Sequence, residues 1–277
     1  MVDKYAKEIV GRLGNNLEAL ILVGSYSRGE AIEGISDLEY WAVVKDLAKA
    51  KKPELDANVS LGFTTREHLK QLKPYIYTVE VKKFGKVVYG DKDILNLIPD
   101  YSYGDIDPFD GFILLNNRIV EQLVLLNGIE NKHAINKYDF NKSYIQLVNS
   151  LLVFNKKYRG LYPEKLEEFR KISKDIDAGL VNRVEDAFVS IKHTSGVALS
   201  EYEAFKKWLE VRGYFRAVWN FEVNKLGGIW CWFKMLCSGR PMRYFVYRKA
   251  VKLYFSNNCH DKRLRSRIIE QWSRFVK

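Results

Sequence analysis

The sequence predicts an α+β protein, with a small mixed-sheet head followed by an all-α helical domain. Short apolar runs alternate with helical patterns over the first hundred or so residues, whereas long segments with helical periodicity follow from about Pro108. The segment Tyr101–Asp110 between them is rich in turn-forming residues. We therefore expect domains at residues 1–107 and 108–277.

The head is predicted to begin with an amphipathic helix and to continue with strands and short helices. A short helix is expected around Ser27–Glu30, and Thr64 or Thr65 is suited to cap a later one. Alternating side chains favour a strand over Tyr75–Lys82. The expected helices are Lys4–Arg12 and Thr65–Leu72, and the expected strands are Ala19–Val23, Asp37–Val44, Val59–Phe63, Tyr75–Lys82 and Lys86–Tyr89.

The second domain is predicted from apolar residues that recur with the helical period. The expected helices are Phe109–Leu126, Phe140–Lys157, Pro163–Lys174, Ala178–His193 and Glu201–Phe221.

Composition excludes several classes of protein. Of the 277 residues, 47% are hydrophobic and 29% are charged, which is typical of a folded globular chain. No apolar run approaches the roughly 20 residues of a membrane helix, so no membrane span is expected. Three cysteines, an odd number, form no framework for disulfides or zinc, and we expect a cytoplasmic protein.

The chain is basic, with a net charge of +11 that favours anionic partners. Arginine and lysine are concentrated in Arg240–Lys277, where Asp261 and Glu270 are the acidic residues. This segment is typical of a solvated helical face and equally of an anion-binding surface. Nucleic acid is therefore one candidate partner.

A pair of acidic residues opens the second predicted strand. Asp37 and Glu39 are two residues apart, so their side chains share one face, while Leu38 and Tyr40 are expected to pack inward. Two carboxylates on one face are suited to bridge divalent ions in phosphoryl or nucleotidyl transfer. The same pattern alone is also typical of the wet face of an edge strand.

A glycine turn precedes this strand in the chain, with Ser25 twelve residues before Asp37. Gly24 and Ser25 follow an apolar strand, so backbone N–H groups and the Ser25 hydroxyl can face an anion. Arg28, in the same loop, is either a bidentate ligand of a triphosphate or a solvated loop residue. The turn together with the acidic pair is more specific than either alone.

The combined motif, G-S-Y-S-R-G-E…S-D-L-E, resembles the signature of the DNA polymerase β-like nucleotidyltransferase superfamily. Most members carry Asp-x-Asp, whereas the aminoglycoside nucleotidyltransferases of the kanamycin type have Asp-x-Glu, as here, and add a helical body. The resemblance implies that Gly24 and Ser25 hold the triphosphate and that Asp37 and Glu39 bind two Mg²⁺ ions.

The resemblance also implies a third metal-binding carboxylate on a later strand. Glu80 is the candidate, on the predicted strand Tyr75–Lys82. An exposed glutamate that pairs with a neighbouring lysine is the alternative, and Asp91 and Asp93 are rivals in a turn. In related two-domain enzymes the helical body supplies a lysine to the phosphates. Lys142 is the candidate by position, and a surface lysine is the alternative.

These observations predict an Mg²⁺-dependent nucleotidyltransferase that uses ATP or another nucleoside triphosphate. It would move a nucleoside monophosphate, with AMP favoured, to a hydroxyl of a small sugar-like or antibiotic acceptor and release pyrophosphate. The alternatives are transfer to a macromolecule such as tRNA or protein, and a non-catalytic binding or antitoxin-like module. The resemblance to kanamycin-type enzymes also implies a homodimer.

Overall fold

The structure is a computed structural model that describes residues 2–173, 176, 178–193, 196–228, 230–237 and 241–276. It divides into two compact units, Met1–Ile106 and Asp107–Lys277. The first contains a mixed sheet with helices and the described part of the second is helical, so the predicted α+β class is confirmed. Outside the described residues lie Lys174, the last residue of a predicted helix, and Arg240 and Lys277, the two ends of the basic segment.

The first unit contains a four-stranded sheet in the order β3-β2-β1-β4. β2 and β3 are parallel, and β1 is antiparallel to both of its neighbours. The elements are α1 (Val2–Leu13), β1 (Leu17–Val23), α2 (Gly24–Arg28), β2 (Leu38–Val44), β3 (Val59–Thr64), α3 (Arg66–Lys70), α4 (Ile76–Phe84) and β4 (Lys86–Gly90). Thr65 caps α3 by accepting a hydrogen bond from the His68 N–H, as the sequence predicted.

Both faces of this sheet are covered, which explains why β1 is apolar at nearly every position. On one face, Leu38 and Tyr40 pack in a cluster with Ile9 of α1. On the other face, Val43 packs in a cluster with Leu69 of α3 and Val81 of α4. Because Glu39 alternates with Leu38 and Tyr40 along β2, its side chain lies on the α3/α4 face.

The predicted strand over Tyr75–Lys82 is wrong, because this segment forms the helix α4, Ile76–Phe84. The β-branched residues that suggested a strand, Thr78, Val79 and Val81, are buried on one side of the helix. Tertiary burial at helical spacing here overrides the local preference for a strand. Glu80 therefore lies on a helix that covers the sheet.

The second unit, in its described part, is built from helices. They are α5 (Pro108–Glu130), α6 (Lys137–Phe154), α7 (Tyr162–Ile172), α8 (Ala178–Ser190), α9 (Glu201–Lys225), α10 (Trp230–Cys237), α11 (Pro241–Phe255) and α12 (Lys262–Val276). Fully buried Trp208 on α9 donates its indole N–H to the Gln122 carbonyl on α5 at 2.9 Å. None of the described helices combines the length and apolar character needed to cross a membrane.

Candidate active site

The glycine turn and the second acidic residue of the motif are in direct contact. β1 ends at Val23, whose antiparallel partner is Glu39 on β2. Gly24 follows with φ +70°, and a Cβ added there would overlap the Oε2 atom of Glu39. Glycine is therefore required at this position for two reasons, the left-handed backbone conformation and the space that the carboxylate occupies.

The other residues of the motif surround this contact. Asp37 is exposed and directly precedes β2, whereas Glu39 is half-buried within the strand. Leu38 and Tyr40 are buried, as the sequence predicted. Ser25 lies in the first turn of α2, one residue after Gly24. The two carboxylates and the Gly-Ser turn thus occur where β1 ends and β2 begins.

Arg28, at the end of α2, contacts two acidic side chains. Its Nε donates to Glu30 at 2.9 Å, and its Nη1 donates to Glu80 of α4 at 2.8 Å. The three side chains are only 9–14% exposed. Arg28 is a candidate ligand of a triphosphate, and its guanidinium here stabilises two largely buried carboxylates. Glu30, in the loop that follows α2, is itself buried.

Tyr77, on α4, is close to acidic residues of both β2 and α4. Its pKa is raised by desolvation of the hydroxyl, and further by the charges of Glu39 and Glu80. Although 40% of the residue is exposed, its ring packs edge-on against Trp41 with centroids 4.9 Å apart. Glu39 and Glu80 are thus both close enough to act on the same phenol, even though they lie on different elements.

The sheet supplies no third carboxylate beside Glu39. Its neighbour on β3 is Ser60, and β3 contains no acidic residue. The rival Asp91 pairs instead with Arg66, and its pKa is lowered by a hydrogen bond from the Asp93 N–H and by Arg66. Within the described part of the chain, no three His, Cys, Asp or Glu side chains are grouped to hold a metal.

The remaining predicted ligand, Lys142, is an exposed residue of α6 in the second unit. Its contact with a triphosphate stays a prediction. In the basic C-terminal segment, Arg265 is fully buried and forms an ion pair with Glu130. Burial alone would raise the pKa of Glu130, but hydrogen bonds from Arg265 and His260 lower it. One cation of that segment is therefore structural.

Sequence reasoning missed Trp41, Tyr77 and the burial of Glu30. The position of Trp41 is indicated by Gly62, its register partner on the parallel strand β3. A Cβ at Gly62 would lie 2.7 Å from the Trp41 indole, so the glycine makes room for the ring. That signal requires the register of β2 against β3, which the sequence alone does not supply.

No protein-family model matches the sequence, and a comparison with curated proteins finds no match. Among solved structures, the chain is similar to spectinomycin adenyltransferase AAD(9) from Enterococcus faecialis, crystallised with ATP and spectinomycin. The likeness has a TM-score of 0.48 and 16% sequence identity, and it covers 78% of this chain and 98% of that chain. A likeness with this TM-score and sequence identity carries no argument about function.

Proposed function

We propose that this protein is an Mg²⁺-dependent nucleotidyltransferase that moves AMP from ATP to a hydroxyl of a small acceptor. The observation that carries the proposal is the contact between the Gly24 turn and the Glu39 carboxylate, with Asp37 two residues before it. A turn that can approach phosphates and an acidic pair that can hold a cation are thereby brought to one place.

The residues present fit a magnesium ion. Mg²⁺ in phosphate-handling sites is usually bound by one or two carboxylates together with substrate phosphates. Asp37 and Glu39 are such a donor pair, and the absence of a Cβ at Gly24 leaves room for the Glu39 carboxylate. When bound, the ion would neutralise charge on the phosphate oxygens.

In the proposed reaction, an oxygen of the acceptor hydroxyl forms a bond to the α-phosphorus of ATP. The bond from that phosphorus to the bridging oxygen of the β-phosphate breaks, and pyrophosphate leaves with the electron pair. Gly24 and Ser25 would hold the β- and γ-phosphates through backbone N–H groups and the Ser25 hydroxyl. The proton of the acceptor hydroxyl passes to a carboxylate, for which we propose Glu80.

Two observations bear on Glu80 in different directions. Burial raises the pKa of Tyr77, and the charges of Glu39 and Glu80 raise it further, which supports a position of Glu80 near the acidic pair. Its ion pair with Arg28 favours a structural role instead. If Glu80 is the base, Glu80→Gln lowers kcat by at least about 100-fold, the usual contribution of general-base catalysis. If it only anchors Arg28, the variant loses stability and retains kcat.

The acceptor is proposed as a small sugar-like molecule or antibiotic. A chain of net charge +11 offers little general attraction to a polycationic aminoglycoside, so a neutral or anionic sugar is supported at least as well. Phosphate binding by Arg28 and Lys142, homodimer formation and nucleic-acid binding by the basic segment stay predictions.

The decisive experiment incubates the protein with labelled ATP, Mg²⁺ and a panel of sugars, aminoglycosides and tRNA. We expect pyrophosphate release with at least one small acceptor, and loss of that release in Asp37→Asn. Glu33→Gln, at an exposed loop glutamate, is the matched control. Full activity in Asp37→Asn would show that the acidic pair is not the metal site.

A nucleotide-binding module without catalysis is the second candidate. It is favoured by the absence of an acidic residue on β3 and by the ion pair that engages Glu80. Such a module binds ATP with Mg²⁺ but releases no pyrophosphate with any acceptor, including tRNA. The same assay therefore separates the two candidates.

A further inference from the structure

A second feature of the first unit is an aromatic cavity of about 370 Å³ on the α3/α4 face of the sheet. It lies between β2 and the segment that runs from α3 into α4. Its main lining residues are Trp41, His68, Gln71, Lys73, Tyr75 and Tyr77. None of the residues that line it is acidic.

The cavity adjoins the acidic pair through two of its walls. Trp41 is two residues after Glu39 on β2, so both side chains lie on one face with Cα atoms about 7 Å apart. Tyr77 forms the facing wall, and the charges of Glu39 and Glu80 act on its hydroxyl. The cavity therefore begins within about the length of one sugar ring from the acidic pair.

The walls offer aromatic surface on which a flat ring can stack. The indole of Trp41 lies over Gly62, where a Cβ would approach it to 2.7 Å, and it meets the Tyr77 ring edge-on. Tyr77 is 40% exposed, so part of its surface is accessible to a ligand. Aromatic side chains of this kind stack on heterocyclic bases irrespective of base identity.

Polar groups at the edge of the cavity suit a heterocycle better than a cationic acceptor. Lys73, Gln71 and His68 present hydrogen-bond donors, which match the ring nitrogens and carbonyl oxygens of a base. A polycationic aminoglycoside would meet Lys73 with no carboxylate in the cavity to balance it. A polyhydroxylated sugar would leave most of its hydroxyls against apolar walls.

We propose that this cavity binds the nucleobase of the nucleoside triphosphate whose phosphates lie at Gly24, Asp37 and Glu39. The inference rests on the proposed function, because it takes the acidic pair as the phosphate end of the ligand. It assigns substrate recognition to Trp41 and Tyr77, which the sequence motif does not include. Affinity for the base then comes from stacking, and affinity for the phosphates comes from the motif.

The test compares three ligands by calorimetry in the presence of Mg²⁺: ATP, adenosine and inorganic tripolyphosphate. We expect Tyr77→Ala to weaken binding of ATP and adenosine by about tenfold or more, the effect of removing one stacking partner. Binding of tripolyphosphate should be unchanged. Tyr89→Ala is the matched control, because Tyr89 is 43% exposed and lies on β4, outside the cavity.

Trp41→Phe provides a second variant that keeps an aromatic ring over Gly62. It should retain the fold and weaken adenosine binding less than Tyr77→Ala does. Unchanged ATP and adenosine affinity in Tyr77→Ala would overturn the inference. So would a parallel loss of tripolyphosphate binding. If wild type binds adenosine but not tripolyphosphate, the cavity assignment is supported and the proposed phosphate site fails.

Discussion

Two sets of acidic side chains, Glu30 and Glu80 in the first unit and Glu222 in the second, lie in opposite environments. In the first unit, Glu30 and Glu80 share the guanidinium of Arg28, so both carboxylates keep a charged hydrogen-bond partner. In the second unit, Glu222 on α9 is fully buried, and neither of its carboxyl oxygens has a hydrogen-bond partner. Burial raises the pKa of Glu222 well above its ordinary value, which favours the neutral acid.

The difference indicates what each carboxylate can do. A carboxylate beside a guanidinium keeps a charged hydrogen-bond partner, whereas a fully buried one without a partner favours the neutral acid. Acidic side chains of the first unit lie near the Gly24 turn and Tyr77. The proposed cation and phosphate chemistry therefore concerns that unit, and Glu222 bears on the pH dependence of stability.

The largest expected effect comes from Gly24→Ala. The new methyl group would overlap the Glu39 carboxylate, and a misplacement of this size costs on the order of 100-fold in activity. Gly34→Ala is the matched control, because Gly34 also has a positive φ, +79°, but has open space at its Cβ. Both variants should lose about 1 kcal/mol of stability from backbone strain. Equal activity in the two would show that the Gly24–Glu39 contact is not functional.

Removal of the shared cation in the first unit should have the next largest effect. Arg28→Gln leaves two buried carboxylates without their guanidinium and should lower the free energy of unfolding by about 3 kcal/mol. Arg66→Gln is the matched control. Arg66 also pairs with two carboxylates, but its side chain is 37% exposed, so its loss should cost less than about 1 kcal/mol. Urea unfolding measures the free energy of unfolding of both variants and of wild type.

The coupling between Arg28 and Glu80 can be measured separately. In the double variant Arg28→Gln with Glu80→Gln, one of the orphaned charges is gone, so the loss of stability should be smaller than the sum of the single losses. Additive losses would show that the ion pair contributes nothing to the fold.

Glu222→Gln should produce the smallest change, and one that depends on pH. Because the folded protein holds this proton at pH values where the unfolded chain has released it, wild-type stability should fall as pH rises above about 4.5. The glutamine variant lacks this fall, so its stability relative to wild type should rise with pH, by on the order of 1 kcal/mol per pH unit. Glu201→Gln, at the exposed start of α9, should change stability by a few tenths of a kcal/mol. Parallel pH profiles for wild type and Glu222→Gln would contradict the assignment of a neutral buried acid.

The motif could be predicted from the sequence because its signals are local. Burial of Leu38 and Tyr40 follows from alternation along one strand, and Gly24 follows an apolar run directly. The site around it could not, because it depends on tertiary contacts. The ion pair of Arg28 with Glu80 joins residues that are 52 positions apart. Nothing near either residue indicates the other.

The wrong strand over Tyr75–Lys82 has a similar cause. Alternating β-branched residues are compatible with a strand and also with a helix whose buried side faces a sheet. The choice depends on Leu69 and Ile94, which lie in the same core cluster as Val81 of α4. Those contacts become known only when the topology is known.

The most direct test of the central claim is the Mg²⁺ dependence of ATP affinity in wild type, Glu39→Gln and Glu33→Gln. Glu33 is an exposed loop glutamate and serves as the matched control. We predict that Mg²⁺ strengthens ATP binding in wild type and Glu33→Gln. In Glu39→Gln, the affinity for ATP in the presence of Mg²⁺ should be at least about tenfold lower than in wild type, because a metal ligand has been removed. Mg²⁺-independent ATP binding, or equal affinity in all three proteins, would contradict the account.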